Sequence, residues 1–167
     1  MTVGHTSAGQ LKISADFPRP VMLDLSIFPG IPGYAFGELA FHSTLLDEPA
    51  LDLYQFPVSP DSDFRFILLA KDPGVEVWND TGSGFLPVGG SFYIGVAPFD
   101  THPIWNITTG TPGQTYTMAL KLHDLNGFYT DSDPLVLSFT AVPQPRTAAA
   151  GVLGLVALLL RRRLRCC

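Results

Sequence analysis

The chain of 167 residues contains 16 Gly and 15 Pro, nearly a fifth of its length, where roughly 12% is usual; 46% of it is hydrophobic and only 15% charged. Long helices are disfavoured, a disordered acidic chain is excluded, and one domain of ordinary size with enough apolar side chains for a core remains. Charge is segregated: fifteen acidic and five basic residues leave residues 1–145 at −10, while Arg146, Arg161, Arg162, Arg163 and Arg165 give the remainder +5, so the body repels phosphate backbones and no nucleic-acid partner is expected.

Alternation of period 2 predicts the elements of the body. Leu11, Ile13 and Ala15 oppose Lys12 and Ser14 in a first strand, and Val21, Leu23, Leu25 and Ile27 oppose Asp24 and Ser26 in a second. The PGIPG run at Pro29–Gly33 then turns the chain. Phe64, Phe66 and Leu68 form one face of FRFILLA, and turn formers follow at Asp72–Gly74 and Thr81–Gly84. Phe92, Ile94 and Val96 form one face of SFYIGVA; Tyr116, Met118, Leu120 and Leu122 form one face of TYTMALKLH, which places Lys121 and His123 outward. Asn126 and Gly127 make a turn before a last strand at Leu135–Thr140. Short strands with this punctuation predict an all-β domain over residues 1–140, an antiparallel β-sandwich or jelly roll, without internal repeats.

Residues able to carry chemistry are present but loosely arranged. His5, His42, His102 and His123 are a pool for metal capture, although no two have the spacing that places two ligands on one element. Asp61/Asp63 and Asp131/Asp133 have the Asp-x-Asp spacing of a calcium loop without its further ligands and glycine, and read as acidic turns. Trp78 and Trp105 are candidates for sugar stacking if exposed and for core packing if not. Asn79-Asp80-Thr81 and Asn106-Ile107-Thr108 fit the glycosylation triplet, which carries little weight if the source is bacterial. Three glutamates and twelve aspartates give too many choices for the carboxylate pair of a glycoside hydrolase. Serine-nucleophile and phosphate-cradling motifs are absent, and both cysteines, Cys166 and Cys167, stand at the end of the chain. No catalytic residue, no metal ligand and no cofactor is assigned.

The end of the chain is more specific. Residues 141–147 form a linker containing Val142, Pro143, Gln144 and Pro145; thirteen apolar residues follow, Ala148–Leu160, and then the basic end, residues 161–167, with Arg161, Arg162, Arg163 and Arg165. As a helix the apolar run would reach roughly 20 Å, short of a ~30 Å hydrocarbon core, but arginines that snorkel reduce the mismatch and favour the cytoplasmic side. Gly151 and Gly154 apart, the run is apolar on every face, where a terminal helix of a soluble core would show a polar stripe. The expected organisation is a body outside the cytoplasmic membrane, a transmembrane or sorting helix at 148–160, and a basic cytoplasmic tail.

This succession resembles the PEP-CTERM sorting signal, in which a Val-Pro-Glu-Pro motif, a short apolar helix and an Arg-rich end are read by an exosortase in bacteria that make extracellular polysaccharide. Val142, Pro143 and Pro145 match, Gln144 replaces the usual Glu, and Arg161–Arg163 match the basic cluster. Members of that family are exported, whereas Met1–Ile13 shows no basic n-region and no apolar h-region; a misassigned start, a truncated chain or a tail that has lost its function would each account for the difference. Gly4-His5 and the YAFGE stretch at Tyr34–Glu38 are similar to landmarks of the choice-of-anchor M surface domains, which implies a secreted or surface-attached β domain. Together these resemblances imply a non-enzymatic cell-envelope protein whose partners are the cytoplasmic membrane, an exosortase-like enzyme and extracellular polysaccharide. The alternative is a surface domain that binds or cleaves carbohydrate.

Overall fold

A computed structural model of the chain describes residues 1–15, 20–57 and 62–142. Asp61, Pro143, Gln144, Pro145, the apolar run Ala148–Leu160 and the basic end with Arg161, Arg162, Arg163 and Arg165 lie outside the described residues. Among the described residues no helix is long and apolar enough to cross a membrane.

The body is all-β, in two sheets. The smaller one joins β1 (Thr2–His5), β2 (Leu11–Ser14), β5 (Phe41–Ser43) and the two-residue β9 (Asp100–Thr101) in the order β2-β1-β5-β9. The larger one contains β3 (Val21–Leu25), β4 (Tyr34–Phe36), β6 (Phe64–Lys71), β7 (Val75–Trp78), β8 (Ser91–Gly95), β10 (Ile104–Ile107), β11 (Thr115–Asp124) and β12 (Leu135–Ala141). Its order is β7-β10-β4-β3-β12-β11-β6-β8, and it curls into a half-barrel.

The alternation read from the sequence is clearest in β11, where Tyr116, Met118, Leu120 and Leu122 are buried and the intervening residues half-buried. β6 repeats it with Phe64, Phe66 and Leu68 inward. The second predicted strand is shorter than expected: β3 ends at Leu25, and Ile27, 89% exposed, belongs to the loop that PGIPG turns back. Two of the ten strand pairings among the described residues, β1–β5 and β3–β12, are parallel, where antiparallel neighbours were expected. Parallel partners need long crossovers, so a strand read by its own alternation carries no sign of them.

Aromatic side chains from both sheets fill the space between them, as in other face-to-face sheet packings. Phe41 of β5 stacks on Phe66 of β6 at 5.1 Å, and Trp105 of β10 stacks on Phe139 of β12 at 5.6 Å. A second, small cluster lies on the opposite face of the larger sheet, where the loop after β3 lays Ile31 and Phe28 over Ala35, Ile104 and Trp78. Asn106 fastens that loop by donating from Nδ2 to the carbonyls of Pro32 at 2.7 Å and Tyr34 at 2.9 Å. Gly33 in the same loop has φ 84°, and a Cβ there would lie 2.1 Å from the Ile107 carbonyl oxygen, so glycine is required on both counts. At Gly4 the need is space alone, since a Cβ would meet the Tyr54 carbonyl at 2.5 Å.

Candidate functional site

Beyond the loop-covered half, the outer face of the larger sheet carries a cross-strand row of polar side chains. Register places Tyr93 of β8 beside Arg65 of β6, and Arg65 beside His123 of β11. Strand neighbours in register share a face with Cβ atoms about 5 Å apart, so three residues distant in sequence stand side by side.

Two carboxylates hold the row in place. Arg65 donates from Nε to Asp63 Oδ1 at 2.8 Å and from Nη2 to Asp63 Oδ2 at 3.0 Å, a planar fork that fixes the guanidinium. The Asp63 hydrogen bond and charge push Arg65 still further above its ordinary value, and Tyr93 adds in the same direction. Asp131 accepts from Lys121 Nζ at 2.5 Å and from His123 Nδ1 at 2.7 Å. Partial burial pushes the Asp131 carboxyl up, but the Lys121 and His123 hydrogen bonds and charges prevail and hold it below the usual carboxylate range.

A lowered carboxyl pKa contributes stability that is complete above the unfolded value, about 3.9, and is lost as pH falls through the folded value. Because the Asp131 side chain is 37% exposed, screening limits the contribution of these pairs to under about 1 kcal/mol. Asp131→Asn is therefore expected to lower stability slightly at pH 7, with the deficit shrinking as pH drops below about 4. Urea unfolding of both proteins at a series of pH values measures this; a deficit that grows in acid would contradict the assignment.

A buried carboxylate organises the loop beside the row. Asp124, 1% exposed, accepts at Oδ1 from the backbone N–H groups of Asp63 at 3.3 Å and Asn126 at 3.2 Å. Its Oδ2 accepts from those of Phe128 at 2.8 Å and Tyr129 at 3.3 Å. One side chain thus sets the position of Asp63 and the path of the loop that presents Asn126 and Phe128. Beside this loop is an open depression of about 660 Å³ lined by Asp63, Arg65, Tyr93, Asn126 and Phe128 among others.

The other residues singled out from the sequence are dispersed. His5 sits among the rings of Tyr54, Phe56 and Tyr129, with both ring nitrogens at backbone carbonyls, Nδ1 2.8 Å from Thr6 O and Nε2 3.2 Å from Gln55 O. His42 and His102, sixty residues apart in sequence, approach one carboxylate. Asp100 is the register partner of His42 and lies 3.2 Å from His102 Nε2. Burial holds His42 below its ordinary value, His102 adds to that, and Asp100 opposes it. His123 is tied instead to Asp131. Among the described residues no three His, Cys, Asp or Glu side chains are grouped to hold a metal ion.

The acidic pairs are engaged internally: Asp63 with Arg65, Asp131 with Lys121 and His123, and Asp133 with the Gln10 amide at 3.3 Å. Trp105 cannot be a sugar platform, because it is fully buried and donates from Nε1 to the Leu39 carbonyl at 2.8 Å. Trp78 is half-buried on the edge strand β7, beside Phe85 at 5.4 Å, and its Nε1 donates to Glu76 at 3.0 Å. Asn106 of the second glycosylation triplet is buried, whereas Asn79 of the first lies in the turn that follows β7, hydrogen-bonded to Thr81 and Ser83.

Local sequence gave Tyr93, Arg65 and Phe128 no part in a site and marked Asn126 only as a turn former. Tyr93 alone carried a signal: in SFYIGVA it is the aromatic residue on the face opposite Phe92's alternation partners, where a polar side chain is usual. Comparison with known proteins adds no assignment, since no family model, curated protein or solved structure matches the chain.

Proposed function

We propose that the chain is a non-enzymatic cell-envelope protein, exported and then held or sorted at the cytoplasmic membrane through its C-terminal segment, with its β-sandwich-like body facing extracellular polysaccharide. The observation that carries this reading is the order of residues after the last strand: Val142-Pro143-Gln144-Pro145, the apolar run Ala148–Leu160, and Arg161–Arg163 with Arg165. In this reading Ala148–Leu160 forms a short membrane helix. The paired prolines, each with φ near −65°, keep the preceding segment extended and hold it off the helix at the outer face, where a membrane-embedded enzyme could grip it. The arginines set orientation from the other side, because carrying each across hydrocarbon costs ~2.5–3.5 kcal/mol on insertion scales. The end of the described body is compatible with such a tether: β12 closes on β3, and the Val142 N–H donates to the Leu23 carbonyl at 2.9 Å, so the tail leaves from a strand anchored in the middle of the larger sheet.

Removing residues 143–167 is expected to abolish membrane association in fractionated cells, and unchanged association would overturn the reading. Pro143→Ala combined with Pro145→Ala should leave insertion intact while blocking maturation in a host that has the processing enzyme. Changing Arg161, Arg162 and Arg163 to alanine should disturb topology itself. A double proline variant whose mature mass equals that of the parent would show that an exosortase-like enzyme does not read this segment.

A further inference from the structure

We infer that the depression lined by Tyr93 and Phe128 is a binding site for neutral hexose units of a polysaccharide. The inference rests on the body being a polysaccharide-facing domain, and it names where the contact occurs and which sugar chemistry is taken.

Two large aromatic side chains line the depression with much of their surface in water: Tyr93 is 53% exposed and Phe128 61%. The apolar C–H faces of a pyranose ring cover aromatic surface of this kind, and both rings are borne by positioned backbone. Tyr93 lies in β8, paired with β6, and the Phe128 N–H is held by the buried Asp124. Little ordering is then left for binding to pay.

The same depression is lined by groups that recognise hydroxyls. The Asp63 carboxylate and Arg65 guanidinium form a two-point ion pair that uses Nε and one Nη2 hydrogen, which leaves the Nη1 group and the second Nη2 hydrogen as donors and the remaining carboxylate lone pairs as acceptors for neighbouring hydroxyls. The Tyr93 hydroxyl adds a group that both donates and accepts.

Charge selects the class of sugar. Arg65 is already neutralised by Asp63, so the site offers no uncompensated cation to a uronate or sulfate group. The surrounding residues 1–145 carry −10 and repel polyanions at long range. The same geometry therefore favours a neutral glycan over an acidic one. An open depression on a sheet face suits internal units of a long chain as well as a terminus.

The test uses the full-length chain in detergent micelles, titrated by calorimetry with gluco-, manno- and galacto-oligosaccharides of six units and, in parallel, with alginate oligomers of the same length. At least one neutral series is expected to bind, and Tyr93→Ala and Phe128→Ala are each expected to weaken it by about tenfold. Both positions are exposed, so thermal unfolding should be unchanged within the range typical of surface substitutions. Arg65→Lys keeps the charge but loses the fork, and should also weaken binding. Binding to none of the neutral series, binding to alginate alone, or neutral binding indifferent to all three substitutions would overturn the inference. None of these results bears on membrane association. Conversely, a chain lacking residues 143–167 that stays with the membrane would overturn the sorting reading and leave the sugar titration standing.

Discussion

Trp105→Ala is expected to lower the stability of the body by about 3–5 kcal/mol, the range for removing a large aromatic side chain from a packed core. Trp105 is fully buried and touches aromatic partners from three strands: Phe41 at 6.2 Å, Phe66 at 6.3 Å and Phe139 at 5.6 Å. Phe41 belongs to the smaller sheet and the other two to the larger, so truncation opens a cavity where the sheets meet, and close-packed neighbours collapse into it only in part. The lost indole N–H also leaves the Leu39 carbonyl, which it meets at 2.8 Å, without that donor. Trp78→Ala should cost only about 1–2 kcal/mol, because that side chain is half-buried over a small cluster on the outer face. Urea unfolding of the two variants side by side gives the comparison. Equal losses, or a loss under about 1 kcal/mol for Trp105, would contradict the assignment of Trp105 to the inter-sheet core.

Asp124→Ala should cost about 3 kcal/mol, since four backbone N–H groups lose a charged acceptor in a place with little water. The effect is local in origin and specific in location. The amides of Asp63, Asn126, Phe128 and Tyr129 should lose hydrogen-exchange protection together, while those of β10 and β12 keep theirs as long as the body stays folded. Asp124→Asn should be milder, as its amide oxygen still accepts at one side while its NH₂ group opposes N–H donors at the other. The loop carrying Asn126 and Phe128 would lose its set position in either variant, so sugar binding at the depression should fall even where overall folding survives. Protection at Phe128 and Tyr129 equal to that of the parent would show that the loop does not depend on this carboxylate.

The long strands were legible because each buries one full face. A ten-residue alternation such as that of β11 cannot be satisfied by a helix, and every second residue from Tyr116 to Asp124 is buried. The short strands β1, β4, β5, β7, β9 and β10 were not, for they have two to four residues each and two or three alternations do not separate a strand from a loop. In β10 the pattern is erased altogether: Ile104, Trp105, Asn106 and Ile107 are all buried, because the loop after β3 covers the outer face while the core takes the inner one. Asp124 carried no sign of its role, which lies in four amides that local sequence does not show.

By itself the sequence determined the all-β character of the body, the strands long enough to alternate, the turns at Pro29–Gly33, Asp72–Gly74, Thr81–Gly84 and Asn126–Gly127, and the segregation of charge between body and tail. These are properties of composition and of neighbours along the chain, where side-chain periodicity and backbone freedom act directly. Only the tertiary structure decided that Trp105 is core, that His102 meets Asp100, the register partner of His42, and that Tyr93, Arg65 and His123 stand in one row beside Phe128. Those outcomes depend on which strands pair and in what register, and a register is fixed by the burial of whole faces across segments tens of residues apart.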